Sequence, residues 1–360
     1  MTQQFDPSSI GLLNGNLYGL PFDTETANTI VIPVPWDVTV SYRDGAHEGP
    51  QKMLDASVQM DLFDEDIPDV WKVGLAMEPI SEEWTAKNKV LRKKAIECID
   101  HLASGGEVTD KKVAPLYKEI NEECEKLNKW VAAKAQRHIN KGKMVCVLGG
   151  EHSVSLGLIR VLAEQYKKFS ILHIDAHCDL RDAYEGFENS HASIMFNARK
   201  LSSVEKLTVV AVRDYGEQES LLIKNSKKEP VKDQKRLCPV TAFTDRQMKY
   251  AGYKGEAWAA QCKKIVNTLG KDVYISFDID ALDPALCPHT GTPVPGGLDY
   301  EQVMFLVKTL VESGRRIIGF DLSEVAPGVI QPGDMHSWDA VVGMRALYRM
   351  ANYMALSQKK

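Results

Sequence analysis

No stretch of this chain runs eighteen apolar residues, which removes a membrane-spanning helix of the length a bilayer core demands. No CxxC pair occurs, and the seven cysteines (98, 124, 146, 178, 238, 262 and 287) are odd in number and scattered. That usage excludes a disulfide framework and reads as reduced thiols of a cytoplasmic protein. The start, "MTQQFDPSSIGLLNGNLYG", has neither the basic end nor the apolar centre of a signal peptide. A basic stripe is missing too. With a net charge of -5 and a pI near 6.0, neither nucleic acid nor an anionic membrane is an expected partner. There is no internal repeat and no low-complexity segment. What remains is a chain of 360 residues, 44% hydrophobic, able to bury a large core.

Short apolar runs rich in β-branched residues alternate with helical segments. Residues 29–35, 144–150, 169–177, 206–214, 272–280 and 315–324 read as buried strands, and their unbroken apolar character suits a parallel sheet covered on both faces. Residues 157–168, 256–270 and 300–314 carry helical spacing, two of them ending in glycine. The alternation predicts a three-layer α/β/α fold around a doubly wound, mainly parallel sheet. We expect one domain over 1–360, with an N-terminal extension over about 1–28 and a charged helical insert over about 81–141 whose mixed signs mark solvated faces.

In such sheets functional groups collect at the carboxyl ends of strands, and here the polar anomalies fall at those ends. "LGGEHS" brings Glu151 and His152, "IDAHCDLRD" brings Asp175, His177 and Asp179, "SFDIDALDP" brings Asp278, Asp280 and Asp283, and "FDLSEVAP" brings Asp321 and Glu324. Strand alternation puts 175, 177 and 179 on one side, with Ala176 and Cys178 on the other, and lets Asp278 and Asp280 share a face. With His152, that makes two imidazoles and four carboxylates in one crevice. Four aspartates there repel one another and lose solvation unless something cationic neutralises them. No Lys or Arg sits between the ligands of any one segment, and two divalent ions balance the charge. An oxygen-rich set with two imidazoles and no thiolate suits Mn²⁺, with Ni²⁺ the main alternative. Such a pair lowers the pKa of a shared water from about 15.7 towards neutrality and readies it to attack a trigonal carbon. Cys178, turned away from the ligands, is expected to pack as a small apolar residue.

The segments "GGEHS", "DAHCD", "SFDIDALDPA" and "SEVAPG", in this order, together with "YRDGAHEGP" (42–50), resemble the ureohydrolases, the family of arginases, agmatinases and other guanidino hydrolases. The resemblance implies one ion held by His152, Asp175, Asp179 and Asp278 and another held by Asp175, His177, Asp278 and Asp280, with Asp175 and Asp278 bridging. Glu324 matches the carboxylate that pairs with the substrate guanidinium, and His191, in "NSHAS", matches a proton-shuttling histidine. Asp283, with Pro284 following, is read as orienting its strand end from behind the ligands. The resemblance also implies homotrimers or homohexamers. Its chemistry is coherent, since a guanidinium with a pKa above about 12 stays charged at neutral pH. Cleaving it takes a strong nucleophile, an anionic anchor and an acid for the leaving amine.

The loop "LRDAYEGFENSHAS" (180–193) is closer in kind to agmatinases than to arginases. Asp182 and Glu185 are candidates to face a distal ammonium. Trp338, in the stretch "APGVIQPGDMHSWDAV" that follows Glu324, is a candidate to shorten the pocket. The expected activity is therefore release of urea from a small, agmatine-like guanidino compound. A nickel-dependent hydrolase of guanidine or alkylguanidines is the alternative. Two readings of other classes are a non-catalytic partner subunit of an active paralogue and a single-zinc deacylase. The complete ligand set speaks against both.

Overall fold

The computed structural model of the protein describes residues 5–226, 237–330, 333 and 335–359. Its centre is an eight-stranded sheet, parallel at every pairing, in the order β2-β1-β3-β8-β7-β4-β5-β6. The strands are β1 (Thr29–Val34), β2 (Leu75–Met77), β3 (Met144–Gly149), β4 (Phe169–Ile174), β5 (Val204–Val210), β6 (Val240–Phe243), β7 (Asp272–Asp278) and β8 (Arg316–Ser323). All six expected strands are present. β2 and β6 lie at the two edges and are too short to leave a readable apolar run. β1 contains a proline, which a central ladder rejects. The β1–β2 pairing stops at Val31↔Met77, so Pro33 lies beyond the neighbour its N–H would have served.

Helices cover both faces. One layer holds α1 (Gly49–Ser57), α8 (Trp258–Val266), α9 (Tyr300–Glu312) and α10 (Trp338–Ser357), packed through Met53, Ile265, Val307 and Leu347. The other holds α2 (Glu82–Ala103), α3 (Ala114–Ile139), α4 (Leu156–Gln165) and α5 (Ile194–Ala198), packed through Leu91, Leu127, Leu158 and Met195. α6 (Glu217–Asn225) and α7 (Asp245–Tyr253) flank β6. Caps sharpen several starts. The Ser81 hydroxyl accepts from Trp84 N–H ahead of α2, and Asp299 with Gln302 forms a capping box on α9.

The charged stretch 81–141 is α2 and α3, and its apolar stripes belong to the core of their layer rather than standing apart from it. Its exposed faces carry ion pairs such as Lys94–Glu119 and Lys87–Glu123. Residues before β1 lie across the opposite layer: the Tyr18 hydroxyl donates to Met344 O, and the Asn16 amide donates to Leu20 O, Phe22 O and Leu75 O. Among the described residues, no helix is long and apolar enough to cross a membrane.

Candidate metal and substrate site

The four central strands, β3, β8, β7 and β4, deliver the polar segments side by side. This is where the chain order reverses and a crevice opens past the carboxyl ends. The expected geometry of the third segment needs correction. β4 ends at Ile174, so Asp175, His177 and Asp179 are not on a strand, and alternation does not place them. A turn does so instead. His177 N–H donates to Asp175 Oδ1 (2.6 Å), Ala176 N–H donates to Asp280 Oδ1 (3.0 Å), and Asp179 adopts a left-handed φ of 53°. Likewise Asp278 closes β7, while Asp280 sits in the 3₁₀ turn Ile279–Ala281 with its N–H donating to Asp278 Oδ1 (2.8 Å).

All six expected ligands converge. His152 Nδ1 lies 3.1 Å from Asp175 Oδ2, 3.1 Å from Asp179 Oδ2 and 3.3 Å from Asp278 Oδ2. His177 Nδ1 lies 3.0 Å from Asp280 Oδ2 and 3.4 Å from Asp175 Oδ1. Asp175 thus spans both groups with its two oxygens. Asp278 faces the first group through Oδ2, and its Oδ1 accepts from Asp280 N–H as Asp175 Oδ1 accepts from His177 N–H.

The His152 ring tests whether this donor set fits a cation. Tyr274 and Ser276 hydroxyls both donate to Asp321 Oδ1 (2.7 and 2.8 Å), so the Ser276 oxygen is free to accept from His152 Nε2–H at 2.8 Å. That assigns the ring proton to Nε2 and leaves the Nδ1 lone pair facing three carboxylate oxygens. Nδ1 is buried and aligns with none of them as a hydrogen bond. An imidazole nitrogen and three carboxylate oxygens converging on one point fit a metal ion. The protein atoms by themselves favour protons here. Burial opposes the charge on His152, but the surrounding aspartates outweigh it and push the ring well above its ordinary pKa. Burial first, and neighbouring carboxylates second, push Asp278 up and Asp179 up to about 6.

Sequence reasoning missed His173, which is fully buried and whose Nε2–H donates to Asp175 Oδ2 at 2.8 Å. It precedes Asp175 by two, so the same spacing that singled out 177 and 179 would have found it. It lies close enough to His152, Asp175 and Asp179 to count with them as a candidate ligand.

Above the cluster is a cavity of about 230 Å³ whose wall includes Glu324, His191, Tyr184, Arg181, Glu219 and Thr292. Glu324 is buried, with a left-handed φ of 64°, a conformation that costs a non-glycine residue energy and that surrounding bonds must hold. Its N–H donates to Gly150 O (2.8 Å), its carbonyl accepts from the Thr290 hydroxyl (2.9 Å), and its Oε1 accepts from His152 N–H (2.9 Å). Gly150 is required here, because a Cβ at that position would meet Trp36 O at 1.8 Å. His191 lies with Nδ1 3.2 Å from Ser190 Oγ and Nε2 3.4 Å from Ser41 Oγ, and burial pushes its pKa down, favouring the neutral ring. Tyr184 meets it edge-on at 6.0 Å, and the Arg181 guanidinium lies 4.6 Å over the Tyr184 ring.

Four other expected positions are elsewhere. Asp182 is exposed and lies 3.9 Å from Lys200, and Glu185 is half-buried. Both line a second, outer cavity of about 640 Å³ that shares Arg181, Tyr184 and Glu219 with the inner one. Trp338 does not line the inner cavity. It begins α10, is 53% exposed, and its indole N–H donates to Ala285 O. Asp283 is exposed as well. Its carboxylate accepts from Ala285 N–H (2.9 Å), which closes a turn and does not orient the ligands. Cys178 is buried in the layer of α2 to α5, and burial pushes its thiol pKa upward, as expected of an inert packing residue.

The model of the arginase family matches residues 27–348. The chain is 32% identical to the N(1)-aminopropylagmatine ureohydrolase of Thermus thermophilus over 84% of both chains, and 29% identical to an agmatinase of Neisseria meningitidis over 95% of this chain and 92% of that one. Its fold is similar to that of the proclavaminate amidino hydrolase of Streptomyces clavuligerus (TM-score 0.71, 20% identity, 97% and 100% of the two chains). It is also similar to the agmatine ureohydrolase of Thermoplasma volcanium (TM-score 0.66, 21% identity, 97% of each).

Proposed function

Because this chain belongs to the arginase family and is a hydrolase of the ureohydrolase type, we propose that it releases urea from an agmatine-like guanidino compound. In this reading His152, Asp175, Asp179 and Asp278 hold one divalent ion and Asp175, His177 and Asp280 the other, with Mn²⁺ preferred and Ni²⁺ the alternative. The observation that carries it is His152 Nδ1 within 3.3 Å of oxygens of three carboxylates beneath a cavity walled by Glu324. Bound, such ions supply Lewis acidity to an attacking water.

The chain's own groups do the rest. Glu324 presents its carboxylate to the substrate guanidinium, and its Oε1 is held in place by His152 N–H. The neutral His191 ring, steadied between Ser41 and Ser190, is suited to accept a proton from the attacking water and then to pass it to the leaving amine. The outer cavity, with Asp182 and Glu185, offers room and negative charge for a second basic end. Trp338 lies away from the cavity, which removes the observation that favoured free guanidine. A homotrimer or homohexamer and a cytoplasmic setting go with this reading, on the strength of the family resemblance.

The test is a urea-release screen over agmatine, 4-guanidinobutyrate, arginine, guanidine and methylguanidine with Mn²⁺ and again with Ni²⁺. Agmatine or a longer amine-bearing guanidine should turn over fastest. Preference for guanidine with Ni²⁺ would replace this reading by the smaller-substrate one, and acetate release without urea would end it.

A further inference from the structure

We propose that Thr39, oriented by the buried carboxylate of Glu151, is a positioning residue that fixes His191 for its part in the reaction. The inference rests on the proton-transferring reading of His191 given above. Thr39 and Glu151 are both fully buried. Glu151 Oε2 accepts from Thr39 N–H (2.7 Å), and Oε1 accepts from the Thr39 hydroxyl (2.8 Å) and from that of Ser153 (2.5 Å). A carboxylate gripping one residue by both its N–H and its O–H decides where that hydroxyl points. With its proton committed to Glu151, the Thr39 oxygen presents a lone pair to His191 N–H, 3.2 Å away. An aspartate at 151 is shorter by one methylene, about 1.5 Å, and could not keep both bonds without moving the backbone.

The backbone around Thr39 is itself held. Arg92, from α2, donates to both Val38 O (3.1 Å) and Val40 O (2.6 Å), the carbonyls on either side of Thr39. Two residues on, Ser41 Oγ comes to 3.4 Å of His191 Nε2. The same short segment therefore meets His191 at its main chain and at its ring. Among the described residues no hydrogen bond joins Thr39 to a proposed metal ligand, whereas His191 N–H donates to it directly.

A double-mutant cycle on the full-length, Mn²⁺-loaded protein tests this, using the best substrate of the screen. His191→Ala should lower kcat about 100-fold, and Thr39→Val about 10-fold with KM and metal content unchanged. Combined, the two should be no slower than His191→Ala alone. Thr39→Ser, which keeps the hydroxyl, should restore kcat to within about two-fold. Independently of turnover, the His191 main-chain amide should exchange with solvent faster in Thr39→Val. If Thr39→Val does not fold, Glu151→Gln takes its place in the cycle. Multiplying losses with an impaired His191→Ala would overturn the positioning inference alone. Full activity in His191→Ala would overturn it together with the proposed role of His191.

Discussion

On the floor of the cavity, six side chains come from segments that leave three strands, β3, β7 and β4, and these segments bond one another: Asp280 N–H on Asp278, His177 N–H on Asp175, Ala176 N–H on Asp280. On the rim, Arg181, Tyr184 and His191 come from one long loop, and distant elements set its shape. Asn121 and Asn128 of α3 bond Gly186 O and Asn189, Glu219 of α6 accepts from Leu180 N–H, and Thr39 accepts from His191 N–H. A floor whose members bond one another tolerates little change in its own residues. A rim held by helices and segments that lie outside it can be retuned from there, which suits a surface that selects among substrates around one reaction.

The sharpest way to break the contrast is on the floor. Asp278→Ala removes an oxygen facing His152 and should lower urea release by more than about 1000-fold, the several kcal/mol that Lewis-acid catalysis supplies. Metal content measured on the purified variant should fall with it; full activity would end the dinuclear reading. Glu324→Gln touches the floor's edge. It should retain metal yet lose roughly 30- to 100-fold in kcat/KM for guanidinium substrates, the cost of unmaking a buried charge pair.

The rim should respond through stability. Asp37, fully buried, accepts from His47 Nδ1–H (2.7 Å), Gly45 N–H and Asn88 of α2, and so ties down the segment that carries Thr39. Burial alone would raise its carboxyl, but the bond and charge of His47 outweigh that and hold it below the usual range, while Asp37 holds His47 above its own. A lowered carboxylate pKa gives stability that is lost as pH falls through the lowered value. A raised imidazole pKa gives stability that is lost as pH rises through the raised value. The pair is therefore fully effective between the ordinary values, from about pH 4 to about pH 6.5. His47→Gln should cost about 1 kcal/mol at pH 6, with the gap to wild type narrowing towards pH 9 in thermal unfolding. The smallest effect is expected at Trp338→Ala, which should shift relative kcat/KM among the screened substrates by less than about two-fold, since the indole lies outside the inner cavity.

The difference between floor and rim also sets how much could be read in advance. All six side chains that converge on the floor were legible as candidate ligands, because four carboxylates and two imidazoles at strand ends have no bland explanation that balances their charge. The reason given for DAHCD was nevertheless wrong in its geometry. β4 ends one residue before Asp175, and a turn takes over from strand alternation. Rim positions fared differently. Arg181 and Tyr184 line the inner cavity and Asp182 and Glu185 the outer one, a division that turns on the left-handed φ of Ala183 (55°) and Glu185 (51°) and on contacts to α3. Asp283 and Trp338 carried suggestive neighbours but face outward. α2 and α3 read as a charged helical insert within the one domain; the charges on their outer faces mask the apolar stripe by which they join the core.

Composition and order by themselves determined a parallel α/β sheet and the strand ends where carboxylates and imidazoles gather, because β-branched runs and clustered carboxylates act through local, short-range physics. The ureohydrolase class followed from the resemblance of four motifs in order. The tertiary structure alone decided which oxygen of Asp175 serves which histidine, which ring nitrogen of His152 is free, and that Thr39 meets His191 across 152 residues of chain. Those facts depend on hydrogen bonds between segments far apart in sequence. Such bonds form only once burial has removed competing water, and the chain order carries no local mark of them.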